Sequence, residues 1–308
     1  MKEYRLTDWL PTTKKEVELR GWNELDVILF SGDAYVDHPS FGAAVVGRIL
    51  EAEGLRIAIV PQPNWRDDLR DFKKLGRPRL FFGISAGCMD SMVNKYTANK
   101  RLRSDDAYTP DARPDMRPEY PSIVYTQVLK KLYPDIPVVL GGIEASMRRL
   151  THYDYWQDKV RKSILVDSGA DLLIYGMGEK PLVELAKRMQ QQADTGLPLQ
   201  YDISQIAYLC KTAEFVPEEG DIRLYSHEEC LKDKKKQAAN FRHIEEESNK
   251  YAGAGRTQEG EYVTIVGNAP YRPLTEGERE HAFEGAYTRW PEDKERGKGR
   301  RKVRIGER

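Results

Sequence analysis

The sequence predicts an α/β protein built on a doubly wound, parallel sheet of five strands. Short, continuous apolar segments recur along the chain, and the first two of them enclose a helical pattern. Continuous apolar runs are typical of strands buried on both faces, and a strand–helix–strand unit is typical of parallel sheets. We place this domain at residues 22–215.

Each strand is predicted where an apolar run is bounded by polar residues or glycine, at residues 26–30, 56–60, 80–85, 137–140 and 171–175. A helix is predicted at residues 41–53, because apolar residues recur there at helical spacing and Gly54 can end it. Another helix follows the fifth strand and carries Pro181 in its first turn, where the missing N–H costs nothing.

Four further segments complete the predicted organisation. Residues 1–21 are an N-terminal arm, and residues 89–121 are an insertion whose length suggests a functional or disordered connection. Residues 216–289 are a charged C-terminal extension with an exposed helix at 228–251 and a strand at 261–266. Residues 290–308 are a basic tail, predicted to be disordered because it has no periodic apolar face.

Composition narrows the possible functions. The 308 residues carry 49 Lys+Arg and 49 Asp+Glu, so the formal net charge is zero. No apolar run approaches the roughly 18–20 residues that a membrane span needs, and no signal-peptide pattern follows Met1. We therefore expect a cytoplasmic protein.

The three cysteines, Cys88, Cys210 and Cys230, are far apart in the sequence. This spacing argues against a disulfide framework, a cysteine-ligated iron–sulfur cluster and a paired-cysteine zinc site. We expect three reduced thiols and no metal site.

The candidate ligand site lies at the carboxyl ends of the predicted strands, where ligands of open parallel sheets bind. The residues that follow these strands and could line such a pocket are Asp33, Tyr35, Asp37, His38, Ser40, Ser85, Gly141, Gly142, Glu144, Gly178 and Glu179. The glycines could admit close approach of a ligand to the backbone, or could serve only to make turns.

The cluster of Asp37, His38 and Ser40 permits a hydrolytic triad or a metal site. It also permits a simpler interpretation, in which an aspartate caps a turn and His38 forms a local hydrogen bond. Dinucleotide binding is not expected, because Gly176 and Gly178 lack the third glycine of that fingerprint. No P-loop sequence is present either.

Residues 152–156 combine aromatic side chains with nearby cations. Such a stretch can bind single-stranded nucleic acid. More often such a stretch is an amphipathic helix with its aromatic rings in the core and its cations in water, and the sequence favours this second interpretation. Nucleic acid is therefore not an expected partner.

Five stretches together resemble a known family: GDAYVDHPSFG at 32–42, DDAYTP at 105–110, LGGIEAS at 140–146, HYDYW at 152–156 and GMGEKP at 176–181. Taken in order, they resemble the N-terminal region of the YgiQ family of radical SAM proteins. The resemblance runs from about residue 10 to residue 289.

The resemblance implies a cobalamin-binding-like, flavodoxin-like α/β domain that precedes a catalytic barrel. In that barrel a Cys-x-x-x-Cys-x-x-Cys motif holds a [4Fe–4S] cluster and S-adenosylmethionine completes its coordination, which yields a 5′-deoxyadenosyl radical. No such cysteine triplet follows Arg289. We therefore expect an accessory domain, truncated naturally or by a frameshift before the barrel. Its partner is the barrel, in cis or as a separate chain, and it is inactive alone, with no catalytic residue of its own.

Cobalamin itself is possible but not predicted. Cobalamin proteins with a histidine axial ligand use Asp-x-His-x-x-Gly after the first strand, whereas Asp37 and His38 are adjacent here and Gly42 lies four residues beyond His38. The alternative function is a stand-alone binding module for nucleic acid or a cobalamin-like ligand. A hydrolase using Asp37, His38 and Ser40 is a third hypothesis.

Overall fold

The structure is a computed structural model that describes residues 5–288, without the side chains of residues 281–283. Within this range the strands, in chain order, are β1 Val27–Ser31, β2 Ile57–Pro61, β3 Phe81–Ser85, β4 Val138–Gly141, β5 His152–Asp154, β6 Lys159–Arg161, β7 Leu172–Ile174, β8 Ile206–Lys211, β9 Ile222–Leu224, β10 Arg256–Glu259 and β11 Val263–Gly267.

The α-helices of the same range are α1 Lys14–Leu19, α2 Gly42–Ala52, α3 Arg70–Lys73, α4 Ser91–Lys95, α5 Pro121–Leu132, α6 Gly142–Met147, α7 Ile164–Ser168, α8 Glu179–Thr195, α9 His227–Lys232, α10 Lys234–Ser248 and α11 Glu276–Phe283. Short 3-10 turns lie at Leu6–Asp8, Pro110–Ala112 and Thr212–Glu214. None of the helices described is long and apolar enough to cross a bilayer.

Over the described residues 5–288, the main sheet has nine strands, not the five that we predicted. Its order is β2-β1-β3-β4-β7-β8-β11-β10-β9. The five predicted strands pair in parallel with one another, and β8 joins β7 in antiparallel orientation. At the opposite edge, β9 and β10 also pair in parallel. Strands β9 to β11 come from the charged extension, where the sequence of β10 is Arg-Thr-Gln-Glu. Because this strand is polar yet largely buried, apolar patterning gave no signal for it.

Two hydrophobic cores cover the two faces of the parallel strands. In β1, Val27 and Leu29 belong to the core that contains α2 and α8. Ile28 and Phe30 belong to the opposite core, which contains α5 and α7. Alternate side chains of a strand point to opposite faces, so the continuous apolar run of β1 follows from burial on both sides.

Part of the predicted N-terminal arm belongs to the domain core. Trp9 and Leu10 are fully buried in the α2 and α8 core. The Pro11 carbonyl accepts a hydrogen bond from the Ile59 N–H at 2.9 Å. The arm therefore contacts β2, the edge strand of the sheet, and satisfies one of its backbone donors.

Two predictions of local structure were wrong. Residues 228–251 form two helices, because Asp233 ends α9 and its side chain caps the first turn of α10 by accepting the Lys235 N–H. Residues 152–156 are not an amphipathic helix, since they enter an antiparallel hairpin of β5 and β6. The predicted disordered tail at 290–308 lies outside the described residues.

Candidate functional site

A cavity of about 430 Å³ lies at the carboxyl ends of β1, β3, β4 and β7. The chain adds β2 on one side of β1 and β3 on the other, so this is the topological switch point of the sheet, where open α/β sheets bind ligands. Most of the wall is apolar and includes Val46, Ile49, Ile143 and Leu182.

The structure divides the predicted site residues into two groups. Those that line the cavity are Ser40, Ser85, Gly141, Gly142, Gly178 and Glu179. Those that lie outside its lining are Asp33, Tyr35, Asp37, His38 and Glu144. The second group is engaged in hydrogen bonds within the protein, and the ligand-binding role of the first group remains a prediction.

The glycines of the cavity wall differ in whether the fold requires glycine at their positions. Gly142 has φ +82°, and an added Cβ would lie 2.7 Å from Ser85 Oγ, so the fold itself requires glycine there. Gly141 has an extended backbone, and apart from its two chain neighbours no described residue has an atom within 4 Å of a Cβ built on it. Gly42, at the start of α2, likewise leaves open space. The protein's own packing does not require glycine at positions 42 and 141, so the space beside them is available to a bound molecule.

Asp33 holds the insertion against the end of β1. Arg117 Nη1 donates to Asp33 Oδ1 at 2.8 Å, and Arg117 Nη2 donates to Asp106 Oδ2 at 2.8 Å. The Cys88 N–H donates to Asp33 Oδ2 at 2.6 Å. Burial raises the pKa of Asp33, while the Arg117 charge opposes that rise. Arg117 is fully buried in this network, and no pattern in the sequence pointed to it.

Asp37 is a structural anchor with both carboxylate oxygens in use. Its side chain is fully buried and accepts from Arg48 Nε at 3.0 Å and Arg48 Nη2 at 2.5 Å. Tyr35 OH donates to Oδ1 at 3.3 Å, and the Thr288 N–H donates to Oδ2 at 2.7 Å. Burial raises the pKa of Tyr35 well above its usual value, so this hydroxyl stays protonated. Arg48 is a further buried partner that sequence reasoning missed.

His38 forms the local hydrogen bond that the simpler interpretation expected. Its Nδ1 accepts the Ser40 N–H at 3.1 Å. Because four donors already occupy the Asp37 carboxylate, that carboxylate does not orient the imidazole as a catalytic triad requires. The geometry therefore gives the hydrolase hypothesis no support.

Glu144 anchors two helices rather than a ligand. It is fully buried and accepts the N–H groups of Ser91 at 3.2 Å and Ser122 at 3.1 Å, at the N-terminal ends of α4 and α5. A carboxylate is favourable at such positions because they carry partial positive charge. Burial raises the pKa of Glu144, while the nearby Arg148 charge opposes that rise.

The cysteines do not fit a [4Fe–4S] cluster. Cys88 follows β3, Cys210 lies on β8 and Cys230 lies on α9. Burial, followed by the Asp33 charge, raises the pKa of Cys88 to about 12, which disfavours the thiolate that a metal needs. In residues 5–288 no group of three or more His, Cys, Asp or Glu side chains could hold a metal ion.

Histidine-ligated cobalamin does not fit this site either. His38 does not line the cavity, and its Nδ1 is engaged by the Ser40 N–H. The open space beside Gly42 and Gly141 remains compatible with other ligands.

Known proteins similar to this chain are longer than it is. A UPF0313 protein of Bacteroides thetaiotaomicron is 72% identical over 307 residues, which cover 97% of this chain and 50% of the relative. UPF0313 proteins of Porphyromonas gingivalis and Geobacter sulfurreducens are 65% and 46% identical, over 96% and 92% of this chain and 47% and 46% of the relatives. The chain thus spans about half the length of these curated relatives.

Among solved structures, the chain is similar to TsrM, a radical S-adenosylmethionine methyltransferase from Kitasatospora setae, with tryptophan substrate and a SAM analogue bound. The TM-score is 0.37 at 18% identity, over 59% of this chain and 28% of TsrM.

A family model described as "Radical SAM N-terminal" matches residues 9–304. The match continues past Arg289, where we expected the resemblance to end. It covers nearly the whole chain and agrees with the family that the five sequence stretches indicated. The chain therefore belongs to the radical SAM N-terminal family, and its near relatives are UPF0313 proteins of the YgiQ type.

Proposed function

We propose that this chain is the N-terminal accessory domain of a radical SAM enzyme and supplies one wall of its substrate site. The observation that carries the proposal is the cavity at the sheet's switch point, with open space beside Gly42 and Gly141. The packing of the fold does not fill this space. We therefore assign it to a molecule that binds between this domain and the rest of the enzyme.

We propose that the [4Fe–4S] cluster is bound by another part of the enzyme and not by this domain. The three cysteines lie on separate elements, and burial disfavours the Cys88 thiolate. The [4Fe–4S] cluster and S-adenosylmethionine are therefore assigned to the part of the longer relatives that this chain does not span. This domain contributes shape and exclusion of water.

Two features support docking of that remaining part over the carboxyl ends of the strands. The Thr288 N–H donates to Asp37 in the segment after β1, so the described chain ends at this edge. Three exposed apolar side chains, Ile143, Met147 and Met177, lie in the segments after β4 and β7. Exposed apolar groups that cluster around a cavity are typical of a surface covered by another domain.

The first test compares the isolated chain with a chimera. In the chimera, the part of the Bacteroides thetaiotaomicron relative that this chain does not span follows residue 304. Both proteins are treated anaerobically with iron and sulfide and then given S-adenosylmethionine and a reductant. We expect the chimera alone to bind a [4Fe–4S] cluster and release 5′-deoxyadenosine. Release of 5′-deoxyadenosine by the isolated chain would overturn the accessory assignment.

The second test locates the docking surface by amide hydrogen exchange. In the chimera, peptides covering residues 142–147 and 176–182 should exchange more slowly than in the isolated chain. Strand β9, at the far edge of the sheet, should exchange equally in both and is the internal control. Equal exchange at all three segments would refute docking at the carboxyl edge.

A further inference from the structure

We propose that a second surface of this domain binds single-stranded nucleic acid. This aromatic–basic surface comprises Lys100, Arg101, Arg103, Tyr153, Tyr155 and Lys159. The sequence favoured burial of the aromatic residues in an amphipathic helix, and the hairpin of β5 and β6 removes that explanation. The inference is independent of the accessory role proposed above.

The exposed tyrosines provide stacking platforms. The side chains of Tyr153 and Tyr155 are 53% and 50% exposed. Tyr155 packs edge-on against Trp156 with a centroid distance of 5.2 Å, and Trp156 lies 5.4 Å from the Tyr96 ring. Rings that are supported by neighbours yet half open to solvent can stack on bases without rearranging.

The insertion brings cations to these rings. A tight antiparallel turn, closed by the pairing of Tyr96 with Leu102, presents Lys100 beside the hairpin. Lys100 Nζ lies 4.7 Å from the centre of the Tyr155 ring and donates to the Trp156 carbonyl at 3.3 Å. Tyr155 OH donates in return to the Ala98 carbonyl at 2.8 Å. The turn and the hairpin are therefore one surface.

These cations are available to an outside anion. Lys100, Arg101, Arg103 and Lys159 are exposed, and within residues 5–288 the structure records no ion pair for any of them. By contrast, the neighbouring Lys95 and Arg161 are paired with Asp115 and Asp167. Carboxylates also border this surface. Asp158 accepts from Tyr153 OH, and Asp115, which shares a cavity with Arg103, is paired with Lys95.

The exposed tyrosines and the unpaired cations together indicate which class of ligand this surface binds. Unpaired cations attract phosphates, and exposed rings stack on bases that a duplex would keep covered. A protein partner rich in carboxylates would use the cations but would not need the two tyrosines. The surface therefore fits a single strand better than a duplex or an acidic protein.

Fluorescence anisotropy with labelled single strands of about 12 nucleotides tests the inference. The arms are oligouridine, oligothymidine and a duplex of the same length, each titrated with the 308-residue protein at several salt concentrations. We expect micromolar binding of a single strand, weaker binding of the duplex, and affinity that falls with salt. The first two arms distinguish RNA from DNA.

Variants separate stacking from charge. Tyr155→Ala should weaken binding about tenfold without changing the slope of log affinity against log salt. Tyr155→Phe, which keeps the ring, should bind as tightly as the parent. Lys100→Ser should reduce the slope of log affinity against log salt by about 0.7. The matched controls Tyr251→Ala and Lys235→Ser alter an exposed ring and an exposed cation outside this surface and should bind as the parent does.

A third control addresses the basic tail. The triple variant Arg300→Ser, Arg301→Ser and Lys302→Ser should retain affinity within about threefold. Loss of all binding in this variant would assign the site to the tail and overturn the proposal. Absence of binding at low salt, or parental affinity in both Tyr155→Ala and Lys100→Ser, would overturn it as well. Circular dichroism confirms that each variant is folded.

Discussion

Asp37 and Thr288 are 251 residues apart in the sequence, yet the Thr288 N–H donates to Asp37 Oδ2 at 2.7 Å in the buried interior. The same carboxylate receives both Arg48 Nε and Arg48 Nη2. One side chain after β1 thus binds α2 and the end of the described chain together. This contact holds Thr288 beside the segment that follows β1.

Replacement of this anchor should destabilise the protein. Asp37→Asn removes the charge opposite the buried Arg48 and replaces one acceptor oxygen by an NH2 donor, which in either orientation faces donors whose hydrogen bonds the carboxylate now accepts. We expect the free energy of unfolding to fall by about 3 kcal/mol, as is typical when one partner of a buried ion pair is lost. Urea unfolding measures the change. Asp135→Asn, which breaks an exposed pair with Arg77, is the control and should leave the midpoint unchanged. Equal midpoints for Asp37→Asn and the parent would contradict the anchoring role.

Two glycine variants should differ sharply in stability. Gly141→Ala places its Cβ in open space on an extended backbone and should change the free energy of unfolding by less than about 0.5 kcal/mol. Gly87→Ala forces φ +120° on alanine and puts Cβ 2.1 Å from Asp33 Oδ1, so it should cost at least about 2 kcal/mol. Thermal unfolding of the pair tests this. A large loss in Gly141→Ala would mean that the chain itself fills the space assigned to a ligand.

The lowered pKa of the Asp26 carboxyl predicts that the protein loses stability in acid. This carboxyl accepts from Arg56 Nε at 2.9 Å and from Arg79 Nε at 2.9 Å. Burial raises the pKa of Asp26, but the hydrogen bonds from these arginines outweigh burial and lower it to about 2. A depressed carboxyl pKa stabilises the fold above the unfolded value of about 4. This contribution of about 2 kcal/mol should be lost as the pH falls through about 2.

Urea midpoints measured between pH 5 and the acid range check this expectation. In Asp26→Asn, the decrease over the same interval should be smaller by that amount, because the substituted amide does not titrate. An identical pH dependence in the variant and the parent would show that other carboxyl groups cause the acid loss.

The Cys88 thiol should react slowly in the folded protein. Burial and the Asp33 charge raise its pKa to about 12, so very little thiolate exists near neutral pH. In the double variant Cys210→Ser and Cys230→Ser, Ellman's reagent should label Cys88 much more slowly in the native state than in urea. Equal labelling rates in both states would show that the Cys88 thiol is not shielded and that its thiolate form is not disfavoured in the folded protein.

The amino-acid sequence by itself determined the family and the parallel half of the sheet. The stretch at residues 32–42 and the four that accompany it identified the family, and the apolar runs placed five strands correctly because burial on both faces leaves an unbroken local signal. The strand order then placed Ser85 and Gly141 at one cavity, since the carboxyl ends of parallel strands meet at one edge.

The sequence also predicted the strand at residues 261–266, which is β11, but tertiary structure alone decided the polar strand β10 and the partners of the buried aspartates. Strand β10 is polar, and its residue Gln258 is buried. Burial of this side chain is tolerated because its amide accepts a hydrogen bond from the Thr151 N–H and donates one to the Tyr225 carbonyl. Such a strand depends on partners distant in sequence and leaves no local pattern. The same reason explains why Asp33 and Asp37 were expected at the ligand site. Each is instead neutralised by an arginine, Arg117 or Arg48, that only the folded chain brings within hydrogen-bonding distance.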